Sequence, residues 1–244
     1  MSQDEVTALR FGGATVADNL RTAIESGGLI ENSDGTLELA SRPTDANNWI
    51  LVRHAPPLGC DFLFGVMFRH AYAKSAVPHG CRSCYKVKVV PKTVRQLMAA
   101  WEIGRDIAWT SKWGIDLENP HSQDIYAGFF YAAGLDAARA VYKVAREAFD
   151  ADPRLGPALR MIIKRGCSEY EARVGPSDRW EFTSEMAAAE DRLRTRFRAQ
   201  ERKYAPPGNT VLRWIEFAFR SGDETYLDFT QGRRLRPASV TYDP

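Results

Sequence analysis

The stretch between residues 85 and 163 narrows the possible folds more than any other part of this 244-residue chain. Tyr85-Lys86-Val87-Lys88-Val89 alternates apolar and charged residues, the two-residue period of a half-buried strand. Pro91 and Thr93 open a helical stretch running to about Ile107, whose apolar positions Val94, Leu97, Met98, Trp101 and Ile107 mostly follow helical spacing. Trp113 to Leu117 predicts a second strand, broken by Asn119-Pro120. Ile125 to Tyr131 predicts a third, aromatic on both faces. Gly134 precedes a second helix, where Leu135, Ala138, Tyr142, Ala145 and Phe149 recur at helical intervals until Asp152-Pro153 stops it. Leu159 to Ile163 is a fourth strand, leading into Lys164-Arg165-Gly166-Cys167.

Strand, helix, strand, strand, helix, strand in this order resembles the split βαβ, or ferredoxin-like, pattern. The resemblance covers about a third of the chain and implies an α+β fold, although such folds host many functions. It also implies that the first and fourth strands lie side by side and antiparallel. The start of the first strand then meets the end of the fourth, which brings Cys84 and Cys167 to one edge of the sheet.

The cysteines gain their meaning from that placement. The chain has four: Cys60, Cys81, Cys84 and Cys167. Cys81 and Cys84 form a CxxC within Pro78-His79-Gly80-Cys81-Arg82-Ser83-Cys84, so that one tight turn points both sulfurs at a common centre. Cys60, Cys81 and Cys167 each follow a glycine directly, which permits tight backbone turns. Read singly, Cys60 and Cys167 are small buried hydrophobes, and a lone CxxC is a weak signal that also occurs in redox pairs. Read together, they are the four thiolates of a metal centre, with Cys60 as the fourth ligand. Structural zinc commonly takes paired ligands on both sides. One CxxC with two distant cysteines favours a [4Fe-4S] cluster instead, with zinc as the alternative. Residues 81–100 carry Arg82, Lys86, Lys88, Lys92 and Arg95 and no acid, a net charge of +5. Such cations favour thiolate over thiol and offset an anionic centre of either kind.

Further candidates are weaker. The histidines are His54, His70, His79 and His121. His79 is a candidate ligand or catalytic group beside Cys81, against the commoner reading of a loop histidine. Glu169 is a candidate acid–base residue beside Cys167, against the commoner reading of a surface carboxylate. Arg69, Lys86, Arg165 and Arg179 are candidate contacts for an anionic substrate. No Ser-His-Asp arrangement, nucleophile elbow, HExxH, Walker loop or GxGxxG occurs.

The flanks predict a helix at Val16 to Ser26, a hairpin around Asn32-Ser33-Asp34-Gly35, a strand at Trp49 to Val52 and a buried helix at Asp61 to Lys74. Beyond the core, residues 168–182 read as loop, followed by a long helix from Ser184 to Lys203 and another from Val211 to Phe219. This divides the chain into an N-terminal segment (1–80), the core (81–167) and a C-terminal helical extension (168–244), packed as one unit. Hydrophobic residues make up 44% and the net charge is +2, which excludes a polycationic nucleic-acid coat but not a local basic patch. Arg192, Arg194, Arg196, Arg198, Arg202 and Lys203 form such a stretch. Together with the segment Ile125 to Tyr131, which resembles the aromatic third strand of an RNA-recognition motif, it supports a nucleic-acid-binding alternative. The basic residue that opens that motif is absent, since Asp124 and Ile125 stand there. With neither a secretory leader nor an apolar run of membrane-spanning length, the expectation is a cytoplasmic protein with free thiols. The functional expectation is a [4Fe-4S] enzyme or redox protein acting on a small-molecule substrate or redox partner. The alternative is a nucleic-acid binder or complex subunit with structural zinc.

Overall fold

The computed structural model describes residues 8–40, 48–52, 59–117, 124–198 and 206–236. It is a mixed α+β fold around a five-stranded antiparallel sheet. A small hairpin pairs β1 (Arg10–Phe11) with β2 (Ala14–Thr15), and Thr15 caps α1 (Val16–Glu25) by accepting the Asp18 N–H. A second hairpin pairs β3 (Leu29–Glu31) with β4 (Leu37–Leu39). Strand β5 (Trp49–Val52) is followed by a π-helix, Asp61–Ala71, whose last turn is closed by Tyr72 N–H to Met67 O. The centre of the chain supplies β6 (Cys84–Val90), α2 (Val94–Gly104), β7 (Ser111–Ile115), β8 (Tyr126–Ala133), α3 (Leu135–Asp150) and β9 (Arg160–Arg165). Three further helices follow: α4 (Ser168–Val174), α5 (Ser184–Arg196) and α6 (Pro207–Ser221).

The sheet order is β5-β7-β8-β6-β9. Cross-strand partners share a face, so the register sorts the side chains. Val87 and Val89 of β6, Trp113 and Ile115 of β7 and Phe130 of β8 belong to the core built with α2, α3 and α6. Lys86 lies opposite Tyr131, and Lys88 opposite Phe129, on the other face. Trp113 is the pivot of the helix-side core. It is fully buried, meets Phe130 and Phe149 edge-on, and donates its indole N–H to Ser111 Oγ at 2.9 Å. Its ring lies across Gly128, its partner in register, and against Gly104 at the end of α2.

A second core collects the N-terminal and C-terminal elements. Val16 and Leu20 of α1, Phe62, Val66, Met67 and Phe68 of the π-helix, Tyr170 of α4 and Met186 and Leu193 of α5 pack together there. Cys81 and Cys84 belong to this core too. Among the described residues no helix is long and apolar enough to cross a membrane.

Three expectations need correction. The second strand is shifted to Ser111–Ile115, because buried Ser111 satisfies the Trp113 indole while Leu117 is half exposed. The predicted loop 168–182 begins with helix α4, anchored by buried Tyr170, which the short and largely polar sequence there did not signal. The helix predicted to reach Lys203 ends at Arg196. There Phe197 pairs with Leu37, and the Arg198 N–H bonds Leu37 O at 2.9 Å. Arg196 pairs with Glu31, and Arg198 with Asp34 and Glu38, so hairpin acids redirect the chain. The residues that follow, 199–205, lie outside the described ones, as do His54 and His121.

The packing of Trp113 generates a stability prediction. A Cβ at position 128 would come within 2.2 Å of the indole ring. Gly128→Ala is expected to destabilise the fold by about 3 kcal/mol, the upper end of the overpacking range, read as a lower urea midpoint at unchanged slope. An unaltered midpoint would mean that the indole has room to shift.

Candidate metal centre

Each cysteine station has its own local cause. Cys60 stands at the start of the π-helix, after Gly59 at φ +63°. Cys81 ends a single helical turn, His79–Cys81, closed by its own N–H to Pro78 O at 2.9 Å. Cys84 opens β6 opposite Ala133, and the Ser83 carbonyl accepts from Gly134 N–H at 2.7 Å. Cys167 follows β9 and precedes α4. Gly166 before it sits at φ +60°, and a side chain there would strike Trp180 and Tyr170. Strands β6 and β9 are antiparallel neighbours, with Tyr85 opposite Arg165, and Gly166 N–H bonds Cys84 O at 2.9 Å. Cys84 and Cys167 are therefore brought to the same edge by sheet register.

The four thiols form one electrostatic group. None is in a disulfide. The Cys60 thiol is pushed up to about 11, chiefly by burial, with Lys86 opposing and Cys167, Cys84 and Asp61 adding to the rise. Burial likewise raises Cys81, whose couplings reach Cys167, Cys84 and Cys60. Cys84 is raised by burial and by Cys167, against Lys86. Lys86 Nζ donates to Cys167 Sγ at 3.2 Å. Burial opposes the lysine charge, but the surrounding Cys167, Tyr131, Cys84 and Cys60 outweigh it and hold the ammonium proton more tightly than usual. The Tyr170 hydroxyl lies 3.4 Å from Cys81 Sγ. Among the described residues, no three of His, Cys, Asp and Glu converge closely enough to grip a single metal ion. The thiols are neighbours in charge without being gathered on one point.

Two braces hold the CxxC turn. Buried Glu190 on α5 accepts from His79 N–H (2.5 Å), Gly80 N–H (2.8 Å) and the Tyr72 hydroxyl (3.0 Å). Burial raises its carboxyl above the ordinary value, while the same three donors pull the other way. Arg165 donates Nε and Nη2 to Arg82 O (3.0 and 2.7 Å) and Nη1 to Ser177 O (3.0 Å). Its guanidinium also lies over Phe182 at 4.9 Å. Arg165, a candidate anion contact in the sequence, here spends its guanidinium on the Arg82 and Ser177 carbonyls. The sequence does not single out Glu190 or Tyr170. Glu190 did leave a trace, because it shares a helical stripe with Met186, Ala189 and Leu193, where a core-facing carboxylate has to have a reason.

The remaining candidates spread around this centre. His79 contributes its backbone N–H to Glu190, and its ring meets Phe182 edge-on at 6.2 Å. Glu169 pairs with Arg69 at 3.9 Å, and Arg69 lies over the Phe64 ring at 4.6 Å. Arg179 is exposed, in the short turn Ser177–Arg179. His70, part of the same π-helix, has its pKa lowered by burial and then by Arg69 and Lys74. Of the basic stretch, Arg194 lies over Phe62 at 4.7 Å, while Arg196 and Arg198 hold the hairpin acids. No protein family, curated protein or solved structure matches the chain.

These observations yield two predictions. In metal-free protein, a Cys60 pKa of about 11 leaves roughly 0.1% thiolate at pH 8, against about a quarter for an ordinary cysteine. Site-resolved alkylation of Cys60 should therefore lag an ordinary thiol by roughly two hundredfold at pH 8 and accelerate up to pH 11. The folded state holds the Cys60 proton more tightly than the unfolded one, so stability falls as pH climbs from the ordinary thiol pKa through about 11. Labelling at the rate of a free thiol would contradict the burial. Separately, Glu190→Ala strands two backbone N–H groups and a buried hydroxyl, at a cost of about 3 kcal/mol. Amide exchange at His79 and Gly80 should accelerate more than exchange in β8, and equal acceleration would assign Glu190 only a global role.

Proposed function

We propose that the chain is an iron–sulfur protein in which Cys60, Cys81, Cys84 and Cys167 ligate a [4Fe-4S] cluster. It works as a redox protein or iron–sulfur enzyme on a small, anionic substrate or a redox partner. One observation carries the reading: three separate backbone stations deliver four thiols into a single coupled group with one ammonium among them. Burial makes bare thiolates costly at these positions, and metal binding displaces their protons. A zinc–sulfur bond is about 2.3 Å, which sets four thiolates on one ion about 3.8 Å apart. The corners of a cubane hold them farther apart.

The sheet supports the finer fold reading as well. Residues 84–165 run strand, helix, strand, strand, helix, strand, with β7-β8-β6-β9 as neighbours and β5 added beside β7. We read this as a ferredoxin-like core with one extra edge strand. Free thiols fit a reducing compartment, so we place the protein in the cytoplasm.

A second reading, a nucleic-acid binder with structural zinc, has one observation in its favour. Phe129 and Tyr131 lie on the sheet face away from α2 and α3, with Lys86 Nζ 5.9 and 5.5 Å from their ring centres. Aromatic rings beside cations can stack bases.

Anaerobic purification with metal and sulfide analysis decides between the two. The cluster reading expects four iron and four acid-labile sulfides per chain, with broad visible sulfur-to-iron absorption. Cys84→Ala and Cys167→Ala should abolish uptake, and Cys60→Ala should leave a cluster short of one thiolate. Colourless protein holding one zinc per chain, retained on RNA in a steeply salt-dependent manner, would overturn it in favour of the second reading.

A further inference from the structure

We infer that the outer edge of β9 is a docking site for an acidic segment of a partner protein, which adds to the five-stranded sheet as a further strand. The inference is independent of what the thiols bind. The register between β6 and β9 decides which way the β9 backbone points. Gly166 N–H bonds Cys84 O, so Arg160, Ile162, Lys164 and Gly166 turn their main-chain groups towards β6. Met161, Ile163 and Arg165 alternate with them and turn theirs outward. β9 is the last strand of the sheet, and among the described residues no main-chain group meets the outward ones. A row of unpaired N–H and C=O groups is a template for another strand. The opposite edge is not equivalent. There β5 is four residues long, and Trp214 of α6 donates its indole N–H to Asn48 O at 2.9 Å.

Charge selects the occupant. β9 reads Arg-Met-Ile-Ile-Lys-Arg, with cations at both ends, an apolar centre and no acid. Lys164 is offset by Glu171 at 2.9 Å. Arg160 is exposed and has no ion-pair partner among the described residues. The Arg165 guanidinium reaches Arg82 O and Ser177 O, which brings Arg82 and the Ser177–Arg179 turn to the other end of the strand. Arg82 and Arg179 are exposed there, against one exposed carboxylate, Asp178. A second copy of β9 laid along this edge would set its cations beside those of the first, and like charges across a ladder are destabilising. The same cations favour an extended partner with acids at its ends. Half-buried Ile162 and Ile163 leave apolar surface for the centre of that partner to cover.

The test is a fluorescence-polarisation titration of the full chain with a labelled, end-blocked peptide, Glu-Glu-Val-Val-Val-Glu-Glu. Saturable binding that weakens with added salt is expected, with slowed amide exchange at Met161 and Ile163 and none at β5. The lysine counterpart, Lys-Lys-Val-Val-Val-Lys-Lys, should bind weaker by about tenfold or more. Successive N–H groups of a strand point to opposite sides, so N-methylating the first two valines removes one donor aimed at β9 and keeps every charge. That peptide should also lose about tenfold or more. Arg160→Glu should weaken the acidic peptide by about tenfold. Ile163→Pro removes an outward N–H without breaking a bond to β6, and should abolish binding. If Ile163→Pro does not fold, the N-methylated peptide on the wild-type chain decides the same point. No saturable binding up to about 1 mM overturns the inference, as does equal affinity for the lysine or the N-methylated peptide. A dimer of the wild-type chain that Ile163→Pro or Arg160→Glu dissociates would overturn it in favour of a second copy on this edge.

Discussion

The pairing of the first residues of β6 with the last residues of β9 is the constraint on which the rest of this molecule depends. Backbone hydrogen bonds, ending in Gly166 N–H to Cys84 O, fix which residues stand beside one another at that edge. Shifting the register by one residue would turn every side chain of β6 to the opposite face. Val87 and Val89 would leave the helix-side core, and Cys84 and Lys86 would leave the thiol group. The same register thus holds together the sheet's packing and the chemistry at its edge. On the helix side, Trp113, seated over Gly128 and Gly104, ties β7 to β8 and to α2.

The edge itself is an electrostatic compromise. Three of the thiols are held above their ordinary pKa by burial, and a lysine is placed among them. Burying either kind of charge alone is costly, and each makes the other tolerable. The polar groups that position the turn are satisfied as well, Glu190 by two backbone N–H groups and a tyrosine, Arg165 by two carbonyls. A site assembled this way is stiff, because moving the CxxC turn would break several buried hydrogen bonds at once.

Much of the sheet could be read from the sequence because its signals are local. The alternation in 85–89, the helical spacing in 94–107 and 135–149 and the turn at 32–35 each depend on near neighbours, and the corresponding elements are present, the first helix stopping at Gly104, short of Ile107. The proximity of Cys84 and Cys167 followed from element order alone. What escaped depends on distant partners. Helix α4 is short and largely polar, and it is anchored by Tyr170 against Phe68 and Trp180. The end of α5 is fixed by Leu37 and by hairpin acids some 160 residues earlier. Nothing in the sequence tells that the Arg82 and Ser177 carbonyls will face Arg165. Glu190 lay on an apolar stripe whose significance becomes visible only once the N–H groups of His79 and Gly80 are opposite it.

The span of the braces has a consequence for biosynthesis. The thiol stations begin at residue 60, and the carboxylate that holds the CxxC turn is residue 190. A ribosome releases the chain from the N-terminus, at roughly 5–20 residues per second. The CxxC turn therefore cannot take its final form until most of the polypeptide has emerged, and a nascent chain stalled before α5 would leave the His79 and Gly80 N–H groups without their carboxylate.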